Sequence, residues 1–169
     1  MKKNADSNNS ESYTIKVARS IEEVEQYRNF WEKMQWHPNA DIDFYLTIVN
    51  ERQEIIRPHV IVLYNDNNPE AIIIGRIEEK RIDVKIGYKV FYRPKLRSLT
   101  IIYGGMLGNQ SAFHVNVIIT ELLDTVKRGD ADIIFFSNLP LDSEMYMLAK
   151  LKPGFFLVTI FHKAIYIGK

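Results

Sequence analysis

Ser98 to Pro140 reads SLTIIYGGMLGNQSAFHVNVIITELLDTVKRGDADIIFFSNLP. Leu99 to Tyr103 predicts a short strand, broken at Gly104-Gly105 and again at Gly108. From Val115 the apolar residues recur at helical spacing, through Ile118, Ile119, Leu122, Leu123 and Val126, and so share one face. Lys127 and Arg128 place positive charge in the last turn, Gly129 supplies a left-handed stop, and Ile133 to Phe136 follow as a wholly apolar strand. The unit is β-turn-α-β. Gly104 to Gly108 is expected to form the turn between two adjacent parallel strands and the start of the long helix. A strand apolar on both faces belongs at the centre of a sheet, and a crossover of this length joins parallel neighbours with right-handed connectivity.

Upstream, Tyr13 to Val17 alternates as a strand, and Ser20 with Glu23 forms a capping box that opens a helix whose inner face is Ile21, Val24, Tyr27, Trp31 and Met34. That helix is expected to end near Trp36-His37-Pro38. Asp41 then caps a second helix reaching Asn50, with Ile42, Tyr45, Ile48 and Val49 inward. The run HVIVLY at His59–Tyr64, the turn cluster Asn65 to Pro69 and Ala71 to Ile77 predict a hairpin. Ile82, Val84, Ile86 and Tyr88 alternate as a strand with one wet face, and YRPKLRS makes a basic loop in which Arg93, Lys95 and Arg97 either meet phosphate or are simply solvated. Downstream, Asp142 or Ser143 caps a short helix with Met145, Leu148 and Leu151 inward, stopped by Lys152-Pro153-Gly154. FFLVTIFHKAIYIGK closes the chain as apolar strand, to be tucked into the sheet or presented to a partner.

At 169 residues with 46% hydrophobic and 25% charged residues, the chain has the composition of one soluble domain over residues 13–169. Met1 to Ser12 is polar and is expected to be a disordered, dispensable leader. A net charge of +1 offers no global field for nucleic acid, and no apolar run reaches the roughly 20 residues of a membrane span. Without cysteine there is no thiolate chemistry, and the cytoplasm is the expected location. The histidines at positions 37, 59, 114 and 162 stand far apart, so no metal site is expected. Nucleophile elbow, Walker lysine and dinucleotide fingerprint are all missing. What remains is YGGMLGNQSAF: its glycines either let backbone amides at a helix start bind an anion or merely allow a bend and close packing.

Four stretches, SIEEVEQYRNFWEKM, HVIVLYNDNNPEAIIIGRI, LTIIYGGMLG and DIIFFSNLPLDS, occur in an order of strand, helices, antiparallel meander, strand, helix, strand. This order resembles the GNAT acyltransferase fold, most closely the amino-terminal half of tandem GNAT-like proteins of the FemAB and cellulose-biosynthesis acetyltransferase type. The resemblance implies a mixed α/β (α+β) domain: a mostly antiparallel sheet with a central parallel β-α-β unit flanked by helices. It also implies acyl transfer from acetyl-CoA or another acyl-CoA to a small-molecule amine or sugar. The pyrophosphate would be held by Gly104, Gly105, Met106, Leu107, Gly108 and Asn109, so Gly105→Val should weaken binding. The family's turn is Gln/Arg-x-x-Gly-x-Gly/Ala, and this sequence keeps glycines there without the pattern. Tyr146, after the second central strand, is the candidate acid. In tandem proteins the first half shapes a groove and the second carries the usual cofactor site. Two expectations follow: an acyltransferase family protein, whole or as a half with little turnover alone, or a non-catalytic module. Either would pair with a second GNAT-like domain or with its own copy through the C-terminal strand.

Overall fold

Asn65 and Asn68 face one another across a two-residue turn, and from that pair β2 (Ile55–Asn65) and β3 (Asn68–Arg81) run back antiparallel. Asp66 takes φ 53 in the turn, a geometry its short polar side chain tolerates. The computed structural model describes residues 13–152 and 164–167; the expected leader and most of the terminal apolar run lie outside the described residues. β1 (Tyr13–Ala18) pairs antiparallel with β2. After β3 come a small separate hairpin, β4 (Val84–Ile86) with β5 (Lys89–Tyr92), and then β6 (Lys95–Gly108), antiparallel to β3. β7 (Ile133–Phe136) lies parallel to β6, as the β-turn-α-β pattern predicts, and β8 (Ala164–Ile167) lies antiparallel to β7. The main sheet is six-stranded, β1-β2-β3-β6-β7-β8, and the fold is mixed α/β.

Period-two alternation divides the core. Ile61, Leu63, Ile73, Ile77, Leu99 and Ile101 pack against α4 (Ala112–Lys127) and α5 (Glu144–Lys150). Val60, Val62, Ile72 and Ile74 face the opposite way, against α1 (Ile21–Glu25), α2 (Arg28–Met34) and α3 (Ile42–Glu51). Burial on both faces explains why the run VIVL at 60–63 is apolar without interruption. On the second face the Trp31 indole donates to the Ala40 carbonyl at 2.6 Å, and the Tyr45 hydroxyl donates to the Gly75 carbonyl at 2.6 Å. Both side chains are fully buried, so each polar tip needs its partner. Asp41 caps α3 by accepting the Phe44 N–H at 2.8 Å, and a 3-10 turn at Pro38–Ala40 joins α2 to it.

Four expectations need correction. Gly104 to Gly108 is not the strand-to-helix turn: all of it lies within β6, because β3 supplies a partner on one side as far as Gly108. The single helix from Ser20 is broken between Glu25 and Arg28, which turns Met34 outward although Ser20 does cap by accepting the Glu23 N–H. The basic loop is mostly strand. Arg93 pairs with Asp83 at 2.8 Å, Lys95 with Glu79, and Arg97 with Asp132 at 2.9 Å, so the three cations face three carboxylates. Leu151 lies beyond the end of α5 and is 78% exposed, while Ala149 takes the inward position. Gly129 does stop α4, with φ 78 and bonds from Gly129 N–H to the Val126 carbonyl and from Asp130 N–H to the Thr125 carbonyl.

Candidate functional site

The parallel ladder between β6 and β7 covers only Ser98–Ile101 against Ile133–Phe136, and the Ser137 N–H to the Ile101 carbonyl at 2.9 Å extends it by one bond. Beyond it the strands part. β6 stays with β3, but the register jumps from Gly75↔Ile101 to Ile73↔Met106, so the four residues Ile102–Gly105 stand opposite Ile74 alone. Such a bulge bends its strand and re-aims side chains. A cleft opens where the strands separate, at the carboxyl ends of the parallel pair, walled by Ile101, Met106, Val115, Phe136, Leu139 and Met145. Ligands of sheets with parallel strands characteristically bind at such ends. Its volume of about 170 Å³ is close to that of a cavity that holds a benzene ring, so a short apolar group fits.

The bulge explains its glycines. Gly104 has φ 74, and a β-carbon there would stand 2.7 Å from His37 Cβ; at Gly105 it would meet Ile102 Cγ1 at 2.7 Å and the Ile74 carbonyl at 3.1 Å. Gly105→Val therefore reports on folding before it reports on any ligand. The His37 ring lies edge-on to Tyr103, with centroids 4.6 Å apart, and Trp36 stands beside both, 61% exposed at the cleft mouth. Trp36 and His37 carried no functional weight in the sequence. The Trp-His-Pro break between helices was the available signal, since a chain interruption beside a glycine-rich strand leaves room for exposed rings.

The six expected anion-binding residues do not form one cradle. Gly104, Gly105 and Met106 line the cleft, Leu107 is buried on the opposite face, and Gly108 and Asn109 lie at the end of β6 beside Glu70. The Asn109 N–H is used internally, donating to the Glu70 carbonyl at 2.9 Å, while its side-chain oxygen accepts the Ser111 N–H at 3.0 Å. The strand-to-helix turn is thus Asn109-Gln110, with Ser111 at the N-cap of α4. Ser111 does not cap with its side chain: its hydroxyl lies 2.7 Å from His114 Nδ1, and His114 Nε2 lies 2.7 Å from Glu70 Oε2. The His114 ring, and then Asn65, hold the Glu70 carboxyl below its ordinary range. Hydroxyl, imidazole and carboxylate in line form a nucleophile relay when a substrate can reach them. Ser111 is exposed and His114 is buried, and the array ties the start of α4 to β3. The Val115 N–H to the Ser111 carbonyl opens the helical ladder, which leaves the amides of Ala112, Phe113 and His114 ahead of it without a side-chain cap. Tyr146, the candidate acid, is half-buried on α5 and does not line the cleft.

A second cleft lies on the opposite face of the sheet, beneath α3. Asn39, Ile48, Arg52 and Arg76 line it, and Ile102, Tyr103 and Ser137 are shared with the first. Behind Arg76 is a buried polar cluster. Glu78 accepts from Arg76 Nε at 2.8 Å, from Lys80 Nζ at 2.8 Å and from the Thr100 hydroxyl at 2.7 Å, and Lys80 also sits 3.6 Å above the Phe135 ring. Burial works to raise the Glu78 pKa, but these three donors outweigh it and hold the carboxyl at about 2.

Comparison of the chain with protein-family models and with curated proteins finds no match. Among the described residues no group of three His, Cys, Asp or Glu is placed to hold a metal ion, and no helix is long and apolar enough to cross a membrane.

Proposed function

We propose that the chain is a GNAT-like acyltransferase-type protein whose β6–β7 cleft receives the acyl-thioester end of acyl-CoA. The observation that carries this is the parting of two parallel strands at a bulge, which leaves an apolar slot flanked by unpaired strand backbone. A narrow thioester chain can lie there as an extra strand would. The reaction is attack of an acceptor nitrogen or oxygen on the thioester carbonyl, forming an amide or ester while the C–S bond breaks and the acceptor's proton ends on the released thiol. Glu144, the one carboxylate lining the cleft, stands where it could relay that proton, and backbone N–H groups of the bulge would face the oxyanion. The pyrophosphate would then meet the uncapped amides of α4 rather than Gly104 to Gly108.

A second reading is a non-catalytic module that pairs with another domain or copy. The β4–β5 hairpin favours it, because Ile86, Tyr88, Phe91 and Tyr92 are all largely exposed on one projecting element. Calorimetry with acetyl-CoA, run beside a thiol-release assay over amines and sugars, separates the two. We expect saturable binding, with at least a tenfold loss in Met106→Trp, which fills the slot, at an unchanged melting temperature. Binding without turnover decides for the module or half-enzyme; no binding at all overturns the acyl-CoA assignment.

A further inference from the structure

Taking the acyl-transfer reading as its basis, we infer that the second cleft seats an acceptor bearing an anionic group, a carboxylate or a phosphate, beside its nucleophilic amine or hydroxyl. The two clefts lie on opposite faces of the sheet and meet only at Ile102, Tyr103 and Ser137, where the strands part. A donor in one and an acceptor in the other therefore touch at the bulge and nowhere else. The second cleft is lined by two arginines and no acid. Arg52 pairs with Glu54, and Arg76 shares Glu78 with Lys80.

The positive charge lining the cleft comes from its two arginines. Glu78 is shared between Arg76 and Lys80, and Arg76 spends only its Nε on it, so among the described residues its terminal nitrogens have no hydrogen-bond partner. A guanidinium has five N–H donors in a rigid fork that matches carboxylate and phosphate oxygens. Anchored by a nearly buried carboxylate, this fork is pre-organised on β3. Arg52 differs. It is half-exposed and 3.8 Å from Glu54, a separation at which a surface ion pair holds little, so it is free to close over a ligand from the end of α3. Asn39 and Tyr103 add neutral donors at the rim.

The test is an NMR titration of the isotope-labelled chain with inorganic phosphate and, separately, with glutarate, at constant ionic strength. Saturable shifts confined to Arg52, Arg76, Tyr103 and Ser137 are expected with at least one of the two, and the stronger one names the group. Arg52→Gln, a half-exposed position that should leave the fold intact, is expected to weaken that anion about tenfold, with partial rescue by Arg52→Lys. Arg76→Lys keeps the pairing charge for Glu78 while removing the fork, and should lose most of the remaining affinity. Shifts scattered over surface lysines, no shifts with either anion, or wild-type affinity in Arg52→Gln would overturn the inference. Localised anion binding in a chain that fails to bind acetyl-CoA would support the anion site and overturn only the acyl-transfer reading.

Discussion

Replacing Gly108 by alanine is expected to destabilise the fold by about 3–5 kcal/mol, large for the addition of one methyl group. Two penalties coincide there. The backbone has φ 80, and a β-carbon would overlap the carbonyl oxygen of Glu70, which also accepts the Asn109 N–H at 2.9 Å. Neither neighbour is a flexible side-chain end, so relief requires β3 and β6 to separate. Gly129 is the control, since it has φ 78 but nothing within 4 Å of the added carbon. Gly129→Ala should therefore cost only the backbone term, about 1–2 kcal/mol. Urea midpoints of the two variants read the difference, and equal losses would refute the steric account.

Acid should lower the stability of the protein through two overlapping windows. Burial, reinforced by Arg57 and Arg19 nearby, pushes the His59 ring from its ordinary 6.5 down to about 3, and its donors hold Glu78 at about 2 instead of 4.5. In both cases the unfolded chain binds the proton more tightly. Stability is thus complete above about pH 6.5 and falls as pH drops, first through the His59 window between 6.5 and 3, then through the Glu78 window between 4.5 and 2. These windows are worth on the order of 3–5 and about 3 kcal/mol. Glu78→Gln should remove the lower one and, by taking from Arg76 the carboxylate that anchors it, cost about 3–5 kcal/mol at neutral pH. A variant whose urea midpoint keeps the wild-type slope below pH 4.5 would rule Glu78 out as the titrating group.

Much of the architecture was legible because local signals agreed. Asp41 and Ser143 cap helices, Gly129 stops one, and Ile133 to Phe136 pairs parallel to the strand that begins before Leu99. The bulge was not legible. Glycines at 104, 105 and 108 have the same local preference in a turn as in a strand that must bend, and only the partner β3, which reaches Gly108, decides between them. The basic residues at 93, 95 and 97 were ambiguous for a related reason, since their partners Asp83, Glu79 and Asp132 lie 10 to 35 residues away in the chain. Likewise, nothing in the spacing of Arg52 and Arg76 announces a shared cleft. Their meeting depends on α3 lying across the sheet.

The parallel pair that frames the cleft also dictates an order of assembly. Asn65 meets Asn68 across a turn, so β2 and β3 can zip outward from neighbours in sequence, whereas Ser98 meets Ile133, 35 residues away. Closing the longer loop forfeits roughly 2 kcal/mol more chain entropy before any contact repays it. The antiparallel meander can therefore nucleate alone, while β7 waits for α4 to form and fold back. Pulse-labelled amide exchange should find β2 and β3 protected before β7; simultaneous protection would contradict this order. The slot between β6 and β7 then exists only once the crossover has closed, and a ligand bound there is a report that α4 has folded back onto the sheet.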